Sequence, residues 1–175
     1  EAKIPYDRED RAECMERVLY ICPSCRSIHM LKSKKDTIGC TKCGYSADVD
    51  EYGLFKEGSK FEDLYQWDKW QLEELISRRQ SWMDNPDTTI IGLDDIKLEV
   101  VRDGLAQTMS ESARLDMTAK RLTIKGEGAD IDVPLEDIIS FSPVLKDCTG
   151  MNIGGTFYHI RTKVPMDNKS LRMVL

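Results

Sequence analysis

The sequence predicts a mostly β chain of the α+β class in three parts. These are a small cysteine-clasped ribbon with its lead-in over residues 1–60, a connecting helix over 61–88, and an antiparallel β-barrel or sandwich with a C-terminal helix over 89–175. Three observations predict it. Two Cys-x-x-Cys turns, Cys22-Pro-Ser-Cys25 and Cys40-Thr-Lys-Cys43, lie close together. From Phe61 to Met83 there is neither Gly nor Pro, while apolar residues recur near helical spacing. From about Thr89 onward, short runs of alternating apolar and polar residues are separated by turn residues.

The cysteines carry the most specific signal. A Cys-x-x-Cys turn aims two sulfurs at one metal, and a second turn brought alongside by a short hairpin completes a tetrahedron of soft ligands. Cys22, Cys25, Cys40 and Cys43 are therefore expected to hold one structural zinc ion, with no coordination position left for water or substrate. Gly44 suits the second turn, where positive φ is needed. Disulfides are the competing reading and require an oxidising compartment; the opening residues 1–10 are polar and acidic, unlike an export signal. Redox pairs usually follow a strand in a βαβ unit, which neither turn does. Cys14 and Cys148 have no partner at ligand spacing and read as free thiols. His29 lies near the turns as a further candidate ligand or base, against the plainer reading of an exposed ribbon residue.

Between the turns, Ile28, Met30 and Ile38 are expected to face the small core while Lys32, Lys34 and Lys35 crown the hairpin. Two readings of these lysines stand: contact with phosphates of nucleic acid or of a lipid surface, or a solvated tip. The stretch Tyr45–Phe55 reads as a strand, a turn at Gly53 and a short return. In the following helix Leu64, Trp67, Leu75, Ile76 and Trp82 recur, and Asn85-Pro86-Asp87 stops it. Trp67 and Trp70, three apart, lie close to one helix face, as packing against neighbouring domains or as an interfacial membrane anchor.

The remainder reads as seven or eight short strands. Ile96–Val100 is followed by a turn at Asp103-Gly104, then Ala113–Met117, Arg121–Lys125, Ile131–Val133, Ile138–Val144 interrupted by Pro143, Met151–Ile153 and Thr156–Thr162. Asp167-Asn168 caps a final helix from Lys169 onward. An antiparallel barrel closed by one helix resembles the pleckstrin-homology superfold and its GRAM-type relatives, as does the phrasing of Leu115–Ile124 and Val133–Phe141. The superfold by itself assigns no ligand.

Net charge is −6, with the acidic excess in residues 61–175. That balance argues against wrapping a polyanion, so nucleic acid is not an expected partner. No run approaches the ~20 apolar residues of a membrane span. The nucleophile-elbow, phosphate-loop and His-Glu-x-x-His patterns are all missing, and only His29 and His159 are histidines. Carboxylate pairs such as Asp94-Asp95 and Glu136-Asp137 read as solvated surface.

A family resemblance extends this reading. Arg11 to Cys25, then Cys40-Thr-Lys-Cys43-Gly44, then Asp50-Glu-Tyr-Gly-Leu-Phe55, then Trp67-Asp-Lys-Trp-Gln71 occur in this order. The run resembles the extension that follows the catalytic domain in some bacterial 1-acyl-glycerol-3-phosphate acyltransferases, mostly of Firmicutes. Those enzymes pass an acyl chain from a thioester to the hydroxyl of lysophosphatidic acid, using a His-x-x-x-x-Asp pair with the His as base. Here His29 is followed five positions on by Lys34 and His159 by Val164. No catalytic residue carries over. The resemblance implies a non-catalytic accessory region that positions or assembles such an enzyme in phospholipid synthesis. Its partners would be its own catalytic domain and an anionic membrane surface, and its place the cytoplasm, peripheral to the inner face of the bacterial membrane. The chain opens without Met and closes on Leu171–Leu175, as expected of a segment of a longer polypeptide. The alternative is a stand-alone zinc-ribbon adaptor for protein or nucleic acid.

Overall fold

The computed structural model describes residues 4–145 and 147–163; the helix expected from Lys169 onward lies outside them. Among the described residues the fold is mostly β with one α-helix, α1 (Leu64–Asp84). It divides into two compact units, Glu1–Ser77 and Arg78–Leu175, so the division falls within α1. No helix among the described residues is long and apolar enough to cross a membrane.

The first unit is built on three short antiparallel strands, β1 (Leu31–Lys34), β2 (Thr37–Cys40) and β3 (Ser46–Asp48), in that order. Alternation of side chains along a strand sorts them onto two faces. Leu31 opposite Cys40 and Ile38 opposite Ala47 form the inner face, and all four are buried. Lys32 with Gly39 and Ser46, and Lys34 with Thr37 and Asp48, form the outer one. Here the structure differs from the sequence expectation. Leu31 is buried while Met30 is 39% exposed. The reason is local: His29 takes a left-handed φ of 60° and its N–H bonds to the Tyr20 carbonyl, which resets the alternation entering β1.

After β3, Asp50 Oδ1 accepts from the Tyr52 and Leu54 amides and holds the turn to Gly53; Val49 then meets Phe55 in a bridge. The buried positions of α1 are Trp67, Gln71, Glu74 and Leu75, one stripe at spacings of three and four. Ile76, expected among the periodic apolar residues, is 63% exposed. The core of this unit gathers Ala12 and Leu19 from the lead-in, Leu31, Ile38, Ala47 and Val49 from the sheet region, then Phe55 and Trp67.

Among the described residues, the second unit is built on one antiparallel sheet of seven strands. They are β4 (Ile91–Arg102), β5 (Leu105–Met117), β6 (Arg121–Gly126), β7 (Ala129–Pro134), β8 (Ile138–Leu145), β9 (Cys148–Ile153) and β10 (Thr156–Arg161). Their order is β7-β6-β5-β4-β10-β9-β8, with β7 and β8 as terminal strands, so the sheet is not closed into a barrel. Its apolar face buries Ile96, Leu98, Leu115, Leu122, Ile124, Met151 and Ile160 in one cluster. β5 begins at Leu105, earlier than the sequence expectation of Ala113. Residues 105–108 are all exposed, so no alternation marks them; pairing with β4 extends the strand there. β8 continues through Pro143, because a terminal strand needs hydrogen bonds on one side alone, but its register on β9 shifts between Pro143 and Leu145.

Candidate metal centre

Both cysteine turns have the same backbone build. In the first, the Arg26 amide donates to the Cys22 carbonyl at 2.9 Å. In the second, the Gly44 amide donates to the Cys40 carbonyl at 3.0 Å. The residue four after the leading cysteine is left-handed in each, with φ of 58° at Arg26 and 76° at Gly44. Glycine takes that conformation without strain, whereas Arg26 holds it against the Cβ penalty. The Arg26 side chain reaches the buried Glu74 carboxylate of α1 at 3.5 Å.

The turns bring Cys22, Cys25, Cys40 and Cys43 together with every sulfur within 4.8 Å of the others. Cys22 Sγ lies 3.6 Å from Cys43 Sγ, and Cys25 Sγ 3.7 Å from Cys40 Sγ. Four thiolates at ~2.3 Å from one zinc in a tetrahedron stand about 3.8 Å apart. All four are free cysteines, so the set fits zinc and no disulfide competes. Burial pushes the Cys22 thiol up to about 12. Beside Ser27, whose side chain and backbone favour the thiolate, Cys25 falls to about 6. A divalent cation reconciles this mixed set, because it holds all four sulfurs as thiolates. Cys22 and Cys40 are buried, Cys25 is half-buried and Cys43 is exposed. Four protein sulfurs fill a zinc shell, so the ion is structural. His29 is not part of this cluster.

A second layer secures the first turn. Trp67 Nε1 donates to the Ile21 carbonyl at 3.0 Å. Gln71 Oε1 accepts from the Tyr20 and Ile21 amides, and its Nε2 donates to the Val18 carbonyl and to Asp68 Oδ1, both at 2.7 Å. Trp67 is fully buried, its ring between Tyr45, Phe55 and Phe61 at centroid distances of 5.3–5.9 Å. An indole so enclosed is a core group of its own unit and has no face for a bilayer. Trp70 is half-buried against Phe61 at 5.4 Å. The sequence marks Gln71 as the end of the Trp67–Gln71 phrase but assigns it no role; its signal is that it stands four residues after Trp67, on the same helix face.

The remaining candidates do not join this centre. Lys32, Lys34 and Lys35 are exposed on β1 and its turn. In the second unit, His159 Nδ1 lies 3.7 Å from Glu99, whose carboxylate accepts from Arg161 Nε at 2.9 Å. A concavity lined by Ala119, Lys120, Arg121, Pro134, Leu135 and Glu136 contains neither histidine nor cysteine, and Arg121 is already paired with Asp132.

Comparison with known proteins agrees with the metal centre. Residues 15–46 match a zinc-ribbon family described as DNA directed RNA polymerase, 7 kDa subunit. No curated protein matches the chain. Among solved structures, the C-terminal domain of an unknown protein from Leishmania infantum is 11% identical over 51% of this chain and 84% of its own, with a TM-score of 0.31. Two structures of the exchange factor Vav1 are 13% identical over 63% of this chain, with TM-scores of 0.36 and 0.34. One is of Vav1 inhibited by an allosteric inhibitor, and the other concerns its PH and C1 domains. The match spans 36% and 34% of those two chains. Scores this low identify no function.

Proposed function

We propose that the chain is a non-catalytic accessory region of a membrane-associated lysophosphatidate acyltransferase, positioning or assembling an enzyme whose catalytic domain lies elsewhere in the polypeptide. The observation that carries this reading is the convergence of the family-like phrases. Ile21 and the Cys22 turn, the Cys40 turn, Phe55 of Tyr-Gly-Leu-Phe, and Trp67 with Gln71 of Trp-Asp-Lys-Trp-Gln pack into one core around one metal. Short phrases scattered through a sequence are weak alone. Their joint use in a single packed unit supports reading them as one inherited module. A closed four-thiolate shell supports a structural role over a chemical one.

A second reading, a stand-alone zinc-ribbon adaptor, is favoured by the match of residues 15–46 to a ribbon family named for an RNA polymerase subunit. One experiment separates them: immunoprecipitation of the native polypeptide from its own cells, followed by its mass and by peptides read upstream of Glu1. A much larger chain with a His-x-x-x-x-Asp catalytic domain is expected. A native chain near 20.0 kDa overturns the acyltransferase reading and leaves the adaptor.

A further inference from the structure

From the outer face of the ribbon sheet, and resting on the membrane-associated reading above for its setting, we infer that Lys32, Lys34 and Lys35 form the contact with anionic phospholipid headgroups. Lys32 and Lys34 lie on the same face of β1, about 7 Å apart along the strand. Their cross-strand neighbours are Gly39, which has no side chain, and Thr37. The face beside them is therefore low, and both lysines are exposed. Lys35 follows at the hairpin tip with a φ of 55°, its carbonyl accepting from the Ala12 amide at 2.9 Å. The tip is thus fixed to the lead-in rather than hanging free.

Of the nearby carboxylates, Asp36 is already paired with a cation, and neither Glu16 nor Asp48 is in an ion pair with these lysines. Asp36 receives the Arg11 amide at 3.0 Å and the Arg11 guanidinium at 2.9 Å. Glu16 accepts from the Ser33 hydroxyl. Asp48, on the same outer face, accepts from Thr37 Oγ1 at 2.6 Å and is the one carboxylate in the two outer rows. None of the three lysines is in an ion pair among the described residues. A rigid, zinc-held edge bearing three exposed ammonium groups is complementary to a plane of phosphates. Basic residues near an anionic membrane each raise partitioning about fivefold, roughly a hundredfold for three. Lysines on a terminal strand also deter edge-to-edge aggregation, and the experiment must separate the two roles.

The test is sedimentation of the zinc-loaded 175-residue chain with phosphatidylglycerol–phosphatidylcholine vesicles, against pure phosphatidylcholine, at low and high salt. Retention on the anionic vesicles alone, lost with salt, is expected. The triple variant Lys32→Ala, Lys34→Ala, Lys35→Ala lowers partitioning about a hundredfold with zinc content intact. The same charge change at Lys69, Lys120 and Lys125 leaves it unaltered. Amine-labelling of the unaltered chain gives a readout free of any variant: Lys32, Lys34 and Lys35 become protected on vesicles. No retention, equal retention on neutral vesicles, equal loss in the control triple, or unprotected lysines each overturn the inference. So does a ribbon variant that self-associates while partitioning is unchanged. Vesicle binding by a chain whose native mass is near 20.0 kDa keeps this contact and removes the acyltransferase setting alone.

Discussion

Gln71 shows how much of this protein rests on one polar side chain. Its amide answers two buried N–H groups and one carbonyl of the segment that leads into the first cysteine turn. Replacing it with Leu keeps the volume but strands those groups, each at about 1–3 kcal/mol. Gln71→Leu is therefore expected to destabilise the ribbon unit by roughly 2–3 kcal/mol in denaturant titrations followed by tryptophan fluorescence; an unchanged midpoint would refute this account. Trp67→Ala, which removes both the ring and the bond to Ile21, is expected to cost about 3–5 kcal/mol in the same assay. Cys148 reports on the other unit. It is 1% exposed, and burial raises its thiol pKa. The folded state then holds its proton more tightly than the unfolded chain, so this residue's linkage weakens the fold as pH rises past about 8.5. Slow alkylation of Cys148 at neutral pH, accelerating with denaturant, is the expected signature in peptide mass mapping.

Among the elements, α1 and the zinc site are expected to behave as one. The helix is polar over much of its surface, and its buried stripe alternates apolar Trp67 and Leu75 with polar Gln71 and Glu74. Its N-terminal half is held by bonds to the segment before Cys22 and by the buried Trp67 ring. Removing zinc should loosen that segment and with it the helix. Chelation is expected to lower far-UV helical signal and shift Trp67 emission to the red together. Helical signal that survives complete zinc loss would separate the two. In the sheet, the β6–β7 turn packs on β5 at Gly128, which has a φ of 77° and whose added Cβ would lie 2.2 Å from the Met109 carbonyl oxygen. Gly128→Ala must shift backbone, and a loss of more than about 2 kcal/mol in the second unit's unfolding is expected.

At the scale of the whole molecule, two separate cores predict two responses. The ribbon core is small and includes two metal ligands, Cys22 and Cys40, among its buried members. The sheet core is larger and contains none of the four cysteine ligands. Zinc removal should therefore expose Trp67 while leaving Cys148 protected from alkylation. Simultaneous exposure of both would show that the cores stand or fall together. The open sheet order explains a difference at this scale too. Strand count and turns were legible from alternation and Gly-containing turns, but closure depends on whether β7 and β8 pair, and neither strand's own residues record that.

What the sequence by itself determined is the local chemistry: two Cys-x-x-Cys turns with the spacing of one zinc, a helix stopped by Asn85-Pro86, and turn-delimited strands. These follow from nearest-neighbour effects, such as ligand geometry, fixed φ at Pro and the two side-chain periods. Tertiary structure alone decided which residues those elements enclose. It placed Leu31 inside rather than Met30, through a left-handed His29. It made Gln71 a clamp and Trp67 a core group, because their partners lie some fifty residues earlier in the chain. It extended β5 through an exposed stretch, since backbone pairing with β4 needs no buried side chain. Contacts between distant segments are energetic choices of the whole chain, and no local window contains them.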